Sequence, residues 1–152
     1  MKQIQSAMKA QIFFDDVSLD TEIPSAVRGP YNVMDAAKFQ AMIGDFYPTH
    51  YDHKWATEKD RVRGVVIPGL HVATHLIQIV TDWMGPEGVL KRFANRLRAP
   101  TFVGDTITMT GKVTAKRIKD GKHQVECELQ GIKQDGTLVI EGSATVTLPA
   151  RG

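Results

Sequence analysis

The sequence holds one cysteine, Cys127, in 152 residues. That excludes an intrachain disulfide and a cysteine-ligated metal cluster, and it fits a reducing compartment, so a cytoplasmic location is expected. Long apolar runs are missing too. No stretch approaches the length of a membrane-spanning helix, and the opening "MKQIQSAMKAQIFF" lacks the apolar core of a secretory signal, so no membrane partner is expected. An excess of one charge is also absent. Nineteen Lys and Arg against seventeen Asp and Glu leave +2, which gives no electrostatic reason to expect a nucleic acid. An anionic small ligand stays compatible with that charge. There is no internal repeat, low-complexity tract or long linker, so residues 1–152 are read as one domain of ordinary size.

What is present is most regular in the second half. Ile107, Met109, Val113 and Ala115 alternate with polar residues such as Thr106, Thr108 and Lys112. Val125, Cys127 and Leu129 follow the turn at Gly121. Leu138, Ile140, Ala144 and Val146 follow the turn at Asp135-Gly136, with Val139, Glu141, Ser143 and Thr145 opposite. A period of two between turn signals predicts strands with one buried face, and three with short connections predict an antiparallel meander. Cys127 falls on the apolar side, as a small core residue.

Upstream, "PGLHVATHLIQIVTDWMGP" predicts a helix from Pro68 to Pro86. Val72, Ala73, Leu76, Ile79, Val80 and Trp83 form its apolar face, and Gly85-Pro86 stops it. His71, His75, Gln78 and Asp82 make a narrow polar stripe on the other side. "GVLKRFANRL" predicts one more strand, and "MDAAKFQAMIGD" a short helix capped near Asp35. One apolar helix with a run of antiparallel strands is an α+β layout, with a curled sheet wrapped around the helix.

"GDFYPTHYDH" crowds Asp45, His50, Asp52 and His53 around Pro48. Proline disfavours helix at Tyr47 and fixes its own backbone, so Asp45 and His50 sit on a stiff connection. A carboxylate and an imidazole so held can bind one water and pass its proton. A merely solvated polar loop would show the same residues.

"DFYPTHYDHKWA" resembles the signature of the MaoC-like, R-specific enoyl-CoA hydratases: D-x-N-P-x-H, then a small residue six positions after the histidine. Asp45, Pro48, His50 and Ala56 match it, while Tyr47 stands where the family usually has asparagine. "IFFDDVSLDTEIP" resembles the family's opening strand, "VIPGLHVATHL" the start of its central helix, and "APTFVGDTITMTGKV" its P-x-x-x-G-D turn into a long strand. "TDWMGPEGVLKRFANRLRAP" is similar to a stretch of small hydratase subunits that act on steroid-derived CoA thioesters, some of them heteromeric.

The resemblance implies a hot-dog fold and the reversible addition of water to a trans-2-enoyl thioester of CoA or an acyl carrier. The product would be the R-3-hydroxyacyl thioester. Asp45 and His50 would be the catalytic pair, with the order of their proton transfers open because their titrations couple. Gly69 and Leu70 would be the oxyanion and substrate-binding positions, at a helix start whose N–H groups lack partners. Gly69 could instead merely permit the turn after Pro68. No cofactor and no metal are expected: His71 and His75 are one helical turn apart, but Asp82, the third candidate ligand, lies about two turns further on. Asp52 and His53 are read as supporting or solvated. Among the basic residues Arg61, Arg63, Lys91, Arg92, Arg96 and Arg98, none is assigned to the CoA phosphates. A homodimer or larger assembly is expected, with a heteromer as the alternative. A hot-dog thioesterase and a non-catalytic acyl-thioester-binding subunit are the competing readings.

Overall fold

The computed structural model describes residues 10–151; residues 1–9 and Gly152, the two ends of the expected domain, lie outside it. In chain order the elements are β1 (Glu22–Arg28), α1 (Val33–Ile43), α2 (His53–Glu58), β2 (Val66–Ile67), α3 (Gly69–Trp83), β3 (Val89–Leu97), β4 (Thr101–Phe102), β5 (Ile107–Lys119), β6 (Lys122–Lys133) and β7 (Leu138–Thr147). Short 3-10 turns occupy Phe14–Asp16 and Pro48–His50.

The main sheet runs β1-β5-β6-β7-β3, with every neighbouring pair antiparallel. It curls around α3, which touches all five of its strands. The meander of β5, β6 and β7 is the one the alternation predicts. Its first turn is a two-residue loop with both φ values positive, Asp120 at 50° and Gly121 at 69°. That backbone matches the twist of the strands it joins. The predicted face of α3 is the buried one: Val72, Ala73, Leu76, Ile79, Val80 and Trp83 pack in the core with Ile107, Met109, Val113, Val125, Cys127 and Leu129. Burial pushes the Cys127 thiol up to about 12, so it is a core residue and not a nucleophile.

Three local expectations need correction. The opening strand does not span "IFFDDVSLDTEIP"; Phe14–Asp16 is a 3-10 turn and β1 begins at Glu22. The Phe14 N–H bonds the Pro149 carbonyl, and Arg151 pairs with Asp16, so the far end of the chain shapes this segment. The α1 cap expected near Asp35 is Asn32, three residues upstream. Asn32 accepts from the Asp35 N–H while Asp35 accepts from the Asn32 N–H, a reciprocal capping box. Val139, placed on the polar side by alternation, is fully buried, and its carbonyl receives the Arg98 and Ala99 N–H groups.

A second, two-stranded sheet joins β2 to β4, pairing Val66 with Phe102 and Ile67 with Thr101. Asp105, 3% exposed, fastens it. Its carboxylate accepts from the Phe102 N–H at 2.8 Å, Arg63 at 2.7 Å and Gln134 at 3.1 Å, with Lys133 3.5 Å away. Burial alone would raise its pKa, but the Phe102, Arg63 and Gln134 bonds and the Lys133 charge hold it below the usual carboxylate value. Its stabilising effect is therefore present above the ordinary Asp pKa and lost as pH falls through the lowered one. Asp105→Ala leaves Lys133 and the Phe102 N–H buried without that partner. We expect a loss of about 3 kcal/mol or more in urea denaturation. An unchanged urea midpoint would show that the turn holds without its carboxylate.

Candidate active site

The end of α1 delivers Asp45. Gly44 closes the helix in the left-handed region at φ 73°, ψ 19°, where a side chain would be strained. Gly44 and Asp45 both donate their N–H to the Gln40 carbonyl, the latter at 3.2 Å. The Asp45 carboxylate then accepts the Tyr47 N–H at 3.0 Å, a local turn that fixes its position. Tyr47 thus serves Asp45 through its backbone, while its hydroxyl donates to Asp60 at 2.9 Å. Because the donor is the backbone N–H, the turn does not depend on the Tyr47 side chain.

Pro48 starts the 3-10 turn that presents His50. Its carbonyl takes the N–H groups of Tyr51 and Asp52. The Asp52 side chain accepts the Trp55 N–H and caps α2, so Asp52 has a structural role. His53 lines a separate hollow of about 240 Å³ with Val33, Arg63 and Phe102.

His50 is held by a backbone atom. Its Nδ1 lies 2.7 Å from the Val66 carbonyl oxygen. A carbonyl can only accept, so Nδ1 carries a proton, and the tautomer this bond selects is the one whose lone pair is on Nε2. β2 is itself pinned to β4 and, through Phe102, to Asp105, so the acceptor that sets the tautomer is rigid. The Tyr47 N–H is the main cause holding the Asp45 carboxyl below its usual range. The nearby Gln40 amide adds to it without reaching hydrogen-bond geometry, and slight burial opposes both before the His50 contribution is reached. Asp45 is thus ionised at neutral pH. No direct hydrogen bond joins it to His50, whose charge is the last of the influences on the carboxyl.

The start of α3 lies against the same strand. Pro68 is the N-cap and supplies no side-chain cap, and the first helical bond runs from the Val72 N–H to the Pro68 carbonyl at 3.2 Å. The N–H groups of Gly69, Leu70 and His71 precede that bond and have no intrahelical acceptor. A cavity of about 350 Å³ opens there, walled by Val66, Gly69, Val72, Leu97, Arg98 and Thr101. Val66 therefore contributes its carbonyl to His50 and its surface to the cavity beside Gly69. The Gly69 φ is not in the left-handed region, so the turn after Pro68 does not require glycine. What glycine provides is space: a Cβ there would collide with Leu97 Cδ1. Leu70 is 64% exposed and is not among the residues walling the cavity, so what it offers at the helix start is its N–H.

The polar stripe of α3 lies elsewhere. His75 Nδ1 is 2.8 Å from the Tyr31 hydroxyl, and His71 stacks on Phe39 at 4.7 Å. Burial, then His71 and Arg28, push His75 down to about 4, and burial raises Tyr31, so the bond joins a neutral ring to a neutral phenol. Among the described residues no group of three His, Cys, Asp or Glu could hold a metal. Of the arginines, Arg63 pairs with Asp105, and Arg98 pairs with Glu141 on the cavity wall. No described helix is long and apolar enough to cross a membrane.

Residue-type reading missed the Val66 carbonyl, which has no side-chain signature, and Leu97, which looked like one residue of a strand. It also passed over Gln40 as part of a short helix.

Comparison with known proteins finds relatives of the chain. A family model described as "MaoC like domain" matches residues 16–134. A 78-residue stretch is 35% identical to the 3-oxo-4,17-pregnadiene-20-carboxyl-CoA hydratase beta subunit of Mycobacterium tuberculosis, covering 51% of this chain and 57% of that one. The match thus spans little more than half of that relative's length. Over 120 residues the chain is 27% identical to the (R)-specific enoyl-CoA hydratase of Aeromonas caviae, covering 78% of this chain and 87% of that one. Among solved structures, a chain of the ChsH1-ChsH2 complex from Mycobacterium tuberculosis superposes with a TM-score of 0.74 at 21% identity, over 86% of this chain and 98% of that one. Such likeness shows the hot-dog fold.

Proposed function

Because the chain belongs to the MaoC-like domain family, a family of hydratases and dehydratases, we propose that it adds water to a trans-2-enoyl thioester and releases the R-3-hydroxyacyl thioester. The observation that carries this reading is the His50–Val66 bond. It leaves Nε2 as a base on the loop of an ionised Asp45, and it ties that loop to the wall of a cavity at an uncapped helix start.

In the proposed reaction, Asp45 and His50 hold a water beside C3 of the substrate. The water oxygen bonds to C3 as one of its protons passes to the pair. Electrons of the C2–C3 double bond move onto the thioester as enolate, whose oxygen the N–H groups of Gly69 and Leu70 stabilise. The pair then returns a proton to C2 from the same side. Bringing water, base and acceptor together lowers the barrier by several kcal/mol, on the order of what proximity supplies in enzymes. Incubation with a panel of enoyl-CoAs tests this. Loss of the conjugated-thioester absorbance without free thiol supports hydration, thiol release supports a thioesterase, and tight binding with neither supports a non-catalytic subunit.

The edges of the site support an assembly. In the isolated chain Asp45 is exposed, with Phe46 and Tyr47 exposed beside it. Among the described residues, edge strand β3 has one neighbour, β7, and it exposes Val89 and Leu97. An open edge of nine residues invites pairing with another chain. We expect a dimer or larger assembly by sedimentation, formed with a second copy. A fully active monomer would contradict it, and a chain active only with a second protein would place it in a heteromer.

A further inference from the structure

Gln40 lies on the inner face of α1, 1% exposed, and both its amide atoms are buried without a hydrogen-bond partner. Buried polar atoms in folded proteins nearly always have partners, so an amide buried without one points to a group that it engages in the working site. Gln40 is also the residue whose carbonyl receives the Gly44 and Asp45 N–H groups at the end of the helix. One helical position therefore closes the turn into Asp45 with its backbone and carries an unused buried amide on its side chain. Asp45 has one carboxylate oxygen engaged by the Tyr47 N–H and its other oxygen available.

We propose that Gln40 is the positioning residue for Asp45: in the occupied site its Nε2–H donates to the carboxylate oxygen that Tyr47 leaves free, and its Oε1 accepts from the water that Asp45 holds. The role of the water rests on the hydration reading; the pairing of Gln40 with Asp45 does not. The amide lies near enough to Asp45 to favour its charged form, second to the Tyr47 N–H, without reaching hydrogen-bond geometry. The titratable side chain acting on that carboxylate is His50, which the test leaves unchanged. A core glutamine with only a packing role would behave differently. Replaced by an apolar residue of similar size, it would leave stability equal or better and kinetics untouched.

Gln40→Leu and Gln40→Met separate the two. Turnover should fall about tenfold or more with KM within about threefold, since binding is kept and alignment lost. Removing a donor to the carboxylate raises its pKa, so the acid limb of kcat/KM should move to higher pH. The Asp45 side-chain carboxyl carbon, titrated by NMR, should move the same way, and that readout needs no turnover. If the chain hydrates no enoyl thioester yet the titration shifts, the pairing stands while the hydratase reading fails. If hydration is seen but both variants keep the wild-type rate and titration curve, the pairing is overturned. Failure of both variants to fold would assign the amide to the core and overturn it as well.

Discussion

Asp45→Asn and His50→Ala each lower hydration turnover by about 10²–10⁴-fold, the range typical of a general acid or base, while the chain stays folded. Asparagine keeps an oxygen that can accept the Tyr47 N–H, so the turn seen at 3.0 Å survives and only the charge and basicity are removed. Asp45 is exposed and outside the core, which is why stability is expected to hold. His50→Ala also gives up the bond to the Val66 carbonyl, at a cost of about 1 kcal/mol for an ordinary hydrogen bond. Steady-state rates on a good enoyl-CoA, beside thermal midpoints, check both. A folded double variant with a near wild-type rate would remove the pair from the chemistry.

Gly69→Val should lower turnover by about 10²–10³-fold, the loss expected when an oxyanion donor is displaced or its site filled. Its physical cause is local. The Gly69 backbone is unstrained, and the first thing a side chain meets is the tip of Leu97, which is 49% exposed and can swing aside. Stability is therefore touched less than activity. Gly69→Ala should be milder in rate, with its midpoint near wild type because alanine is the better helix former. Leu97→Ala combined with Gly69→Ala removes the collision and should recover part of the rate. Equal turnover in Gly69→Val and wild type would take Gly69 out of the site. A collapsed midpoint in both single variants would mean that the glycine serves the backbone after all.

The parts of this fold that can be read from sequence are those whose partners are periodic. β5, β6 and β7 follow an alternation of two, and α3 shows its buried face at helical spacing, because one continuous core selects both patterns. The segment around Phe14 misled because its conformation answers to Pro149 and Arg151, more than 130 residues away. Val139 misled because the chain between β3 and β4 folds over it and donates two N–H groups to its carbonyl. At the candidate site, Asp45, Pro48 and His50 were legible as residue types on a stiff loop. The tautomer of His50 was not, since it depends on a carbonyl 16 positions further on. Nor was the importance of Asp105 beyond its turn, which lies in holding the strand that carries that carbonyl. Gln40 looked like a polar residue on a short helix and turns out to be buried, because Ala36 and Phe39 beside it form the inward face of α1.

The measurement that bears most directly on hydration at this site is the fate of labelled oxygen. The purified protein is incubated with a trans-2-enoyl-CoA in water enriched in oxygen-18, and the products are analysed by mass spectrometry and chiral separation. The predicted result is one labelled oxygen in the C3 hydroxyl of an intact thioester of R configuration, formed by wild type and nearly lost in Asp45→Asn. Label in a free carboxylate accompanied by free thiol, or an unlabelled and unchanged enoyl thioester across the substrate panel, would contradict the account.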